Sequence, residues 1–316
     1  MVPINAPHFQ RCYLSQVVND AGIYVEIVID GDAEEVWRRT QVPELHEQWD
    51  LRFTAIQYLA KKSEDEPQRF LYSTRIGFGL RIDGEGESAG SREDETGART
   101  SALKFWSDDP KSLIKEGSGY WRYIPENGRL RFLTWYDYRT RFGAAGRLMD
   151  RIFRPLIGWA TAWSFDRLRL WIEHGIPPAT SRRMSLIHAL ARLSIVFTWA
   201  WQGSIPKLLF PSPDERTMLL AAGLSVNMLS LAGAAELCLA ALGLVSWRWR
   251  PYFLLNVVAM MASLAVVALR APHYLVAAFN PATLNALMVG LSVIGYISGA
   301  ELPSASRCAR KPAKSL

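Results

Sequence analysis

Cysteine is scarce in this chain. The three cysteines among 316 residues, Cys12, Cys238 and Cys308, lie far apart, and the five histidines are scattered. Such spacing fits neither a disulfide framework nor a zinc site. The sequence therefore predicts no metal site, and we expect no cofactor. Cys238 lies in an apolar run, where we expect a small buried thiol.

Acidic side chains are almost missing from the second part of the chain. Residues 181–316 hold four Asp or Glu and twelve Lys or Arg, a net charge of +8, whereas residues 1–180 hold 26 acidic and 24 basic residues, a net charge of −2. The second part is too apolar for a nucleic-acid arm, and its basic residues stand at the ends of apolar runs. We therefore expect a membrane and no nucleic acid as partner.

The N-terminus lacks the continuous apolar region of a signal peptide, so we expect the first domain to stay in the cytoplasm. Uncharged runs in the second part predict four membrane-spanning helices centred near residues 199, 235, 260 and 291. With the N-terminus inside, nine basic residues of the short segments lie on the cytoplasmic side and three outside. This bias predicts a multi-pass protein of the cell (inner) membrane with both termini in the cytoplasm.

One carboxylate interrupts the apolar runs. Glu236 lies in the second predicted span, where its charge is costly unless it is paired or protonated. Lys207, at the end of the first span, is the expected partner. The third and fourth spans carry polar side chains at helical spacing, among them Asn256, Ser263, Asn285 and Ser292. They indicate hydrogen bonds between helices or, as the alternative, a polar pocket of the quinone type.

The apolar part resembles a known family. The run WAWQGSIPKLLFPSPDE at residues 199–215 and the Gly-Ala-Ala-Glu at residues 233–236 resemble the DoxX-like family of four-helix membrane proteins. The resemblance covers roughly residues 185–301. It implies a small integral membrane domain, which in some members is associated with respiratory or thiol-linked redox chemistry, and it supplies no established catalytic residue.

The first half shows the alternation typical of half-buried strands. Apolar residues alternate at 23–29 and again from residue 69 to 82, with further strands predicted at 101–106, 113–123 and 131–141. Two short helices follow the first strand, and a long helix with an apolar side covers residues 144–174. An antiparallel sheet wrapped around one terminal helix is the α+β helix-grip arrangement. The glycines near residues 77–90 indicate strand bends or close packing rather than a nucleotide loop.

This order, with VWRRTQVPELHEQWDLRF at residues 36–53 after the first strand, resembles the START-like superfamily, also called SRPBCC. The resemblance covers about residues 20–175 and implies a deep apolar cavity between sheet and helix. Relatives bind lipids, quinones, polyketides or hormones, and only some are enzymes, so the resemblance leaves catalysis open.

Aromatic side chains are the candidates for the lining of that cavity, with plain core packing as the alternative. These candidates are Trp49, Phe70, Tyr72, Phe78, Phe132, Tyr136, Tyr138, Trp159 and Trp163. Tryptophans of the long helix are also suited to a membrane surface. The polar candidates are His46, Asp50 and Arg52. A His-Asp pair at positions i and i+4 is suited to the role of a general base, and the alternative role is to brace a surface helix.

The expected organisation has five parts: an N-terminal extension (1–21), the START-like domain (22–176), a linker (177–185), the DoxX-like membrane domain (186–302) and a basic cytoplasmic tail (303–316). The favoured function is binding or transfer of a hydrophobic small molecule, a lipid, quinone or aromatic compound, next to the bilayer. The alternatives are a subunit or enzyme of a quinone-linked membrane redox system with a redox partner, and an assembly protein that docks another subunit.

Overall fold

The computed structural model describes residues 22–312 except 62, 64, 65 and 78, so Cys12 and Phe78 lie outside the described residues. The chain forms two compact units. The first is built from the described residues up to Ala179 together with those from Pro303 onward, and the second comprises Thr180–Leu302. The described residues from Pro303 onward thus belong to the same unit as the N-terminal domain.

The described part of the first unit contains a seven-stranded antiparallel sheet with the strand order β1-β7-β6-β5-β4-β3-β2. The strands are β1 Ile23–Ile29, β2 Ala55–Tyr58, β3 Arg69–Gly77, β4 Leu80–Glu93, β5 Arg99–Trp106, β6 Ile114–Glu126 and β7 Arg129–Thr140. Helices α1 (Ala33–Gln41) and α2 (Pro43–Trp49) follow β1, and the long helix α3 (Gly143–Glu173) follows β7. The predicted helix-grip fold is confirmed.

The first two helices begin at residue types that commonly start helices, an aspartate and a proline. Asp32 caps α1, since its carboxylate accepts a hydrogen bond from the backbone N–H of Glu34 at 3.3 Å, and Glu34 and Glu35 occupy the first turn. Pro43 occupies the start of α2, where its missing N–H costs no helical hydrogen bond. The buried residue Asp50 directly follows the second of these two short helices.

The long alternation from residue 69 to 82 is divided between two strands. Gly77 (φ 103°) and Gly79 (φ 76°) adopt left-handed conformations and form the turn between β3 and β4. Thr74 then pairs with Ile82 across the hairpin, so the alternating side chains continue on one face of the sheet although the chain reverses. Alternation alone carries no signal for such a reversal.

The core of the first unit lies between α3 and one side of the sheet. The rings of Phe132 on β7 and Phe165 on α3 stack with centroids 4.5 Å apart, and Trp49 meets Phe165 at 6.0 Å. All three side chains are fully buried, and Val25 and Leu168 join the same cluster. Each such buried side chain contributes about 1.5–3 kcal/mol. Helix α3 is thereby fixed on β1 and β7.

The C-terminal segment completes this core, which corrects the expected separate tail at 303–316 and the domain end at 176. Ala309 and Glu26 exchange two backbone hydrogen bonds of 2.9 and 3.0 Å, so the segment covers the edge of β1. Cys308 is 8% exposed within the core. The backbone N–H of Ser304 donates to the buried carboxylate of Asp166 at 2.7 Å. A bare strand edge attracts such pairing, and a segment this short shows no periodicity in sequence.

The second unit consists of helices. Their bounds are α4 Pro178–Gly203, continued by a π-helical turn at Ser204–Leu209, then α5 Pro213–Ala221, α6 Leu229–Val245, α7 Pro251–Arg270 and α8 Pro281–Ser298. Four helices are long and apolar enough to cross a membrane, namely Pro178–Leu209, Val226–Val245, Pro251–Arg270 and Pro281–Ser298. The four predicted spans are confirmed. Helix α4 already begins within the expected linker at 177–185.

Two asparagines join the helices of this unit. Asn256 accepts a hydrogen bond from the indole N–H of Trp199 at 2.8 Å and donates to Ser292. Asn285 donates to Ser263 at 2.9 Å. The polar faces of the third and fourth spans thus satisfy one another across helices, as the interhelical interpretation requires.

Arg192 is fully buried and donates to the backbone carbonyls of Gly243, Ser246 and Trp249 at 3.0–3.2 Å, which caps the end of α6. Cys238 lies where the sequence did not place it. Cys238 is exposed on α6 rather than buried. An apolar run in a membrane helix has an outer face as well as an inner one, and hydropathy does not distinguish them.

Ala309→Pro should open the C-terminal segment, since it removes the N–H that donates to Glu26. Burial raises the pKa of the Cys308 thiol to about 12, so this thiol reacts only when the segment opens. In a chain with Cys12→Ser and Cys238→Ser, we expect maleimide labelling of Cys308 to accelerate about tenfold, as for a loss of about 1.4 kcal/mol.

Lys311→Pro introduces the same residue at an exposed position two residues away and should leave the labelling rate unchanged. Equal rates in the Ala309→Pro chain and its parent would contradict the closed segment.

Candidate functional site

A buried polar cluster occupies the end of α2. The ring Nε2 of His46 lies 3.1 Å from Asp50 Oδ2. Arg52 donates from Nε to Asp50 Oδ1 at 2.9 Å and from Nη2 to Oδ2 at 2.6 Å. Asp50 is 1% exposed and His46 9%. The structure thus brings the three polar candidates together, with Asp50 in the centre.

Aromatic rings enclose this cluster. The His46 ring lies 5.1 Å from Trp49, 5.2 Å from Phe53 and 4.9 Å from Trp121, measured between ring centroids. The Arg52 guanidinium lies 5.3 Å from the ring centroid of Tyr136, an attractive cation–π arrangement. The polar cluster therefore borders the aromatic core.

The charges of the cluster follow from burial and pairing. Burial lowers the pKa of His46 below its usual range, and the hydrogen bond to Asp50 offsets only part of this effect. Burial opposes the charged form of Asp50, but Arg52 and His46 outweigh it and hold the pKa of Asp50 well below its usual range. At neutral pH, a neutral His46 therefore donates to an ionised Asp50 that is paired with a charged Arg52. The cluster carries no net charge.

Beside the cluster, three half-buried rings form an aromatic floor, defined as Phe70, Tyr72 and Phe105. Each ring lies over a glycine of the neighbouring strand, where a Cβ atom would strike it. These glycines are Gly86, Gly84 and Gly117, respectively. Close packing, one interpretation of the strand glycines, is what these positions show.

The floor lies on the same face of the sheet as the core but away from α3. Phe105 of β5 pairs with Gly117 of β6, and Gly117 pairs with Tyr138 of β7, so the three residues share one face. The ring centroid of Tyr138 lies 6.2 Å from that of Phe153 on α3. Phe53 connects the floor to the polar cluster, since its ring lies 5.5 Å from Tyr72 and 5.2 Å from His46. Floor and cluster thus form one continuous surface, called here the interior site.

The predicted lining residues divide into three groups. Trp49, Phe132, Tyr136 and Tyr138 are buried in the packed core. Phe70 and Tyr72 belong to the floor, whereas Trp159 and Trp163 stack on each other at 6.3 Å and Trp159 is 47% exposed. Phe53 and Phe105 were not among the predicted lining residues. In the predicted strand at 101–106, Leu103 and Phe105 lie two residues apart and therefore share one face. This apolar alternation is the signal that places Phe105 on the inner face.

A cleft of about 480 Å³ lies at strands β2–β4, lined mainly by side chains of the opposite face, including Gln57, Ser73, Asp83 and Asp109. It is not the cavity expected between sheet and helix, because α3 contributes no residue to its lining. Within the described ranges, no group of three or more His, Cys, Asp or Glu side chains is arranged to hold a metal ion.

The second unit contains its own charged cluster. Lys207 Nζ lies 3.1 Å from Glu236 Oε2 and 3.1 Å from Glu215 Oε1, and the Lys207 side chain is 8% exposed. Lys207 belongs to the π-helical turn, a feature often found at functional sites. Gly203 and Gly233 allow the backbones to approach closely at this point. The structure brings the predicted pair together and adds Glu215, which was not among the predicted site residues.

Comparisons with known proteins agree with the organisation of the chain. Residues 196–293 match the DoxX-like family, as the motifs at 199–215 and 233–236 predicted. The chain is also similar to the uncharacterized membrane protein YndG of Bacillus subtilis (strain 168). The two are 50% identical over 183 residues, which cover 57% of this chain and 68% of the relative.

Solved structures are similar to about half of the chain. A STAR-related lipid transfer protein fragment from Xanthomonas axonopodis covers 49% of this chain and 89% of its own at 15% identity, with a TM-score of 0.39. TTHA0849 from Thermus thermophilus covers 49% and 98% at 16% identity, with a TM-score of 0.38. The Zhui aromatase/cyclase from Streptomyces sp. R1128 covers 44% and 87% at 13% identity, with a TM-score of 0.35.

Acidification should loosen the polar cluster through His46. The pKa of His46 is lower in the folded chain than in the unfolded chain, where it is about 6.5. The stability that the neutral His46 contributes is therefore complete above a pH of about 6.5 and is lost as the pH falls below that value. We expect hydrogen exchange at residues 43–53 of the full chain, corrected for intrinsic rates, to quicken by up to about tenfold per pH unit below that value.

His46→Gln should remove this dependence, whereas His174→Gln, at a side chain that is 45% exposed, should retain it. Equal protection of the parent chain at pH 5.5 and 7.5 is the contrary result.

Lys207→Met should destabilise the second unit more than Glu236→Gln. Without Lys207, two carboxylates lose their shared cation, at a cost of about 3 kcal/mol, whereas Glu236→Gln leaves Lys207 paired with Glu215 and costs less than about 1 kcal/mol. Thermal midpoints of the detergent-solubilised chain compare the two variants. A larger loss from Glu236→Gln would mean that Glu236 has a separate essential contact.

Proposed function

This chain belongs to the family of the Bacillus subtilis membrane protein YndG, and we propose that its helix-grip domain binds a hydrophobic small molecule at the interior site, beside the bilayer. The ligand class is a lipid, a quinone or an aromatic compound. We propose the cell (inner) membrane as its location, with the helix-grip domain and both termini in the cytoplasm.

The aromatic floor carries this proposal. Helix α3 is fixed over β1 and β7, so Phe70 and Tyr72 remain half-buried outside the packed core, and Phe105 is half-buried against the edge of that core. Because the residue beneath each ring is a glycine, the ring lies directly against the backbone of the neighbouring strand, and a flat apolar group has room to pack on it. Covering such a surface is favourable by roughly 25 cal/mol for each Å² removed from water.

The polar cluster limits the chemistry of the ligand. Asp50 and Arg52 neutralise each other and His46 is neutral, so the site offers no net charge to hold an ionised group. An uncharged ligand with a carbonyl or hydroxyl oxygen fits this environment. Quinones, phenols and polyketide-like ketones have that combination, which is a binding role and requires no catalytic step.

The composition of the first unit supports the proposed topology. Because the unit is built from chain on both sides of the four apolar helices, an even number of spans returns the C-terminal segment to the side from which the first span leaves. The basic residues of the short segments favour the cytoplasm for that side.

A redox role is the second candidate function, and the charged cluster of the second unit favours it. Lys207, Glu215 and Glu236 provide groups for proton transfer within an apolar helical environment. A quinone-linked partner would supply the electron chemistry. Recovery of a quinone with the purified chain, together with loss of its turnover in Glu236→Gln at normal abundance, would favour this role.

Phe70→Ala should reduce binding at the interior site. The full chain is purified from its native membranes into nanodiscs, and native mass spectrometry measures the fraction with a small-molecule adduct. We expect this fraction to fall about tenfold, because loss of the ring removes contact area worth about 1.4 kcal/mol.

Leu71→Ala is the matched control, since Leu71 follows Phe70 on β3 and lies on the opposite face. It should retain the adduct. A parent chain without an adduct, or equal loss in the two variants, would count against the interior site as a binding site.

A further inference from the structure

Helix α3 has an apolar face that no described element of its own unit covers. Leu148, Met149, Ile152, Leu156 and Trp159 are 63, 55, 77, 56 and 47% exposed, and we call them the outer stripe. Ile152 lies three or four residues from Leu148, Met149 and Leu156, and Trp159 lies three residues beyond Leu156, so all five share one side of the helix. The opposite side packs on the sheet, where the hydroxyl of Tyr138 donates to Asp150 at 2.6 Å.

The outer stripe is too apolar to be an ordinary water-facing surface. A surface helix in contact with water normally carries charged and polar residues on its outer side. Here five large apolar side chains follow one another over three turns, and the tryptophan among them stacks on Trp163. A contiguous exposed patch of this kind marks a contact with a membrane or another protein.

The charges around the stripe favour a membrane. Arg147 and Arg151 are exposed on the same turns, and neither forms an ion pair with any residue that the structure describes. The acidic side chain in these turns, Asp150, is turned inward and is engaged by Tyr138 and Arg154. An apolar face bordered by free arginines, with tryptophan at its edge, is the composition of a helix that lies in a lipid interface.

We propose that the outer stripe of α3 inserts into the headgroup region of an anionic bilayer, with Arg147 and Arg151 on lipid phosphates. Four residues separate the end of α3 at Glu173 from the first membrane-capable helix at Pro178. The bilayer is therefore always present at high effective concentration. The surface fits lipid whether or not the interior site is occupied.

A nitroxide spin label at Ile152 tests this contact in the full chain. The background carries Cys12→Ser, Cys238→Ala and Cys308→Ala, and the chain is held in phosphatidylcholine nanodiscs with and without phosphatidylglycerol. Accessibility to oxygen, which concentrates in lipid, is compared with accessibility to a water-soluble nickel chelate. Val28→Cys, at a side chain that is 46% exposed on β1, is the control.

With phosphatidylglycerol present, we expect the oxygen-to-nickel ratio to be about fivefold higher at position 152 than at position 28. Arg147→Gln with Arg151→Gln should lower it, as should removal of phosphatidylglycerol. Equal ratios at the two positions would show a water-facing helix and overturn the proposal. Low accessibility to both reagents with dipolar broadening would reveal a second copy on the stripe and overturn it too. A ratio that is high but indifferent to lipid charge would overturn the arginine–phosphate contact.

Discussion

The stack of Phe132 on Phe165 is the contact on which the rest of the first unit depends. It holds α3 against β7, with Trp49 packed beside it. A helix fixed there covers the part of this face formed by β1 and β7 and leaves the rings of the aromatic floor, farther along the same face, half-buried. The aromatic floor and the exposed stripe of α3 are therefore two consequences of one packing arrangement, in which the helix is anchored through its C-terminal half.

Asp50 provides the second constraint. A fully buried carboxylate is tolerated only where charge and hydrogen bonds compensate it, and here Arg52 and His46 do so at the boundary between the core and the floor. This arrangement makes the site polar without making it charged. It also connects α2 to the sheet, so the geometry of the site and the stability of the fold involve the same three residues.

Periodicity predicted the architecture well because strands, helices and spans each have a characteristic repeat. The pairing of Lys207 with Glu236 followed from the cost of charge in an apolar helix. The covering of β1 by residues 303–312 was not predictable in this way, because backbone pairing at an edge leaves little trace in side chains. Nor does alternation show where Gly77 and Gly79 reverse the chain, or which inward aromatics a helix covers. Which inward aromatics are covered depends on tertiary packing, which buries Phe132 in the core and leaves Phe70 half-buried.

The central claim is that the interior site, on the part of the core face of the sheet that α3 leaves uncovered, binds an uncharged apolar molecule. An experimental density map of the full chain, purified from its own membranes without added ligand, tests this claim most directly. The account predicts non-protein density lying flat on Phe70, Tyr72 and Phe105, with a polar end toward Arg52. A map in which side chains of this chain fill that space and no density remains would contradict it.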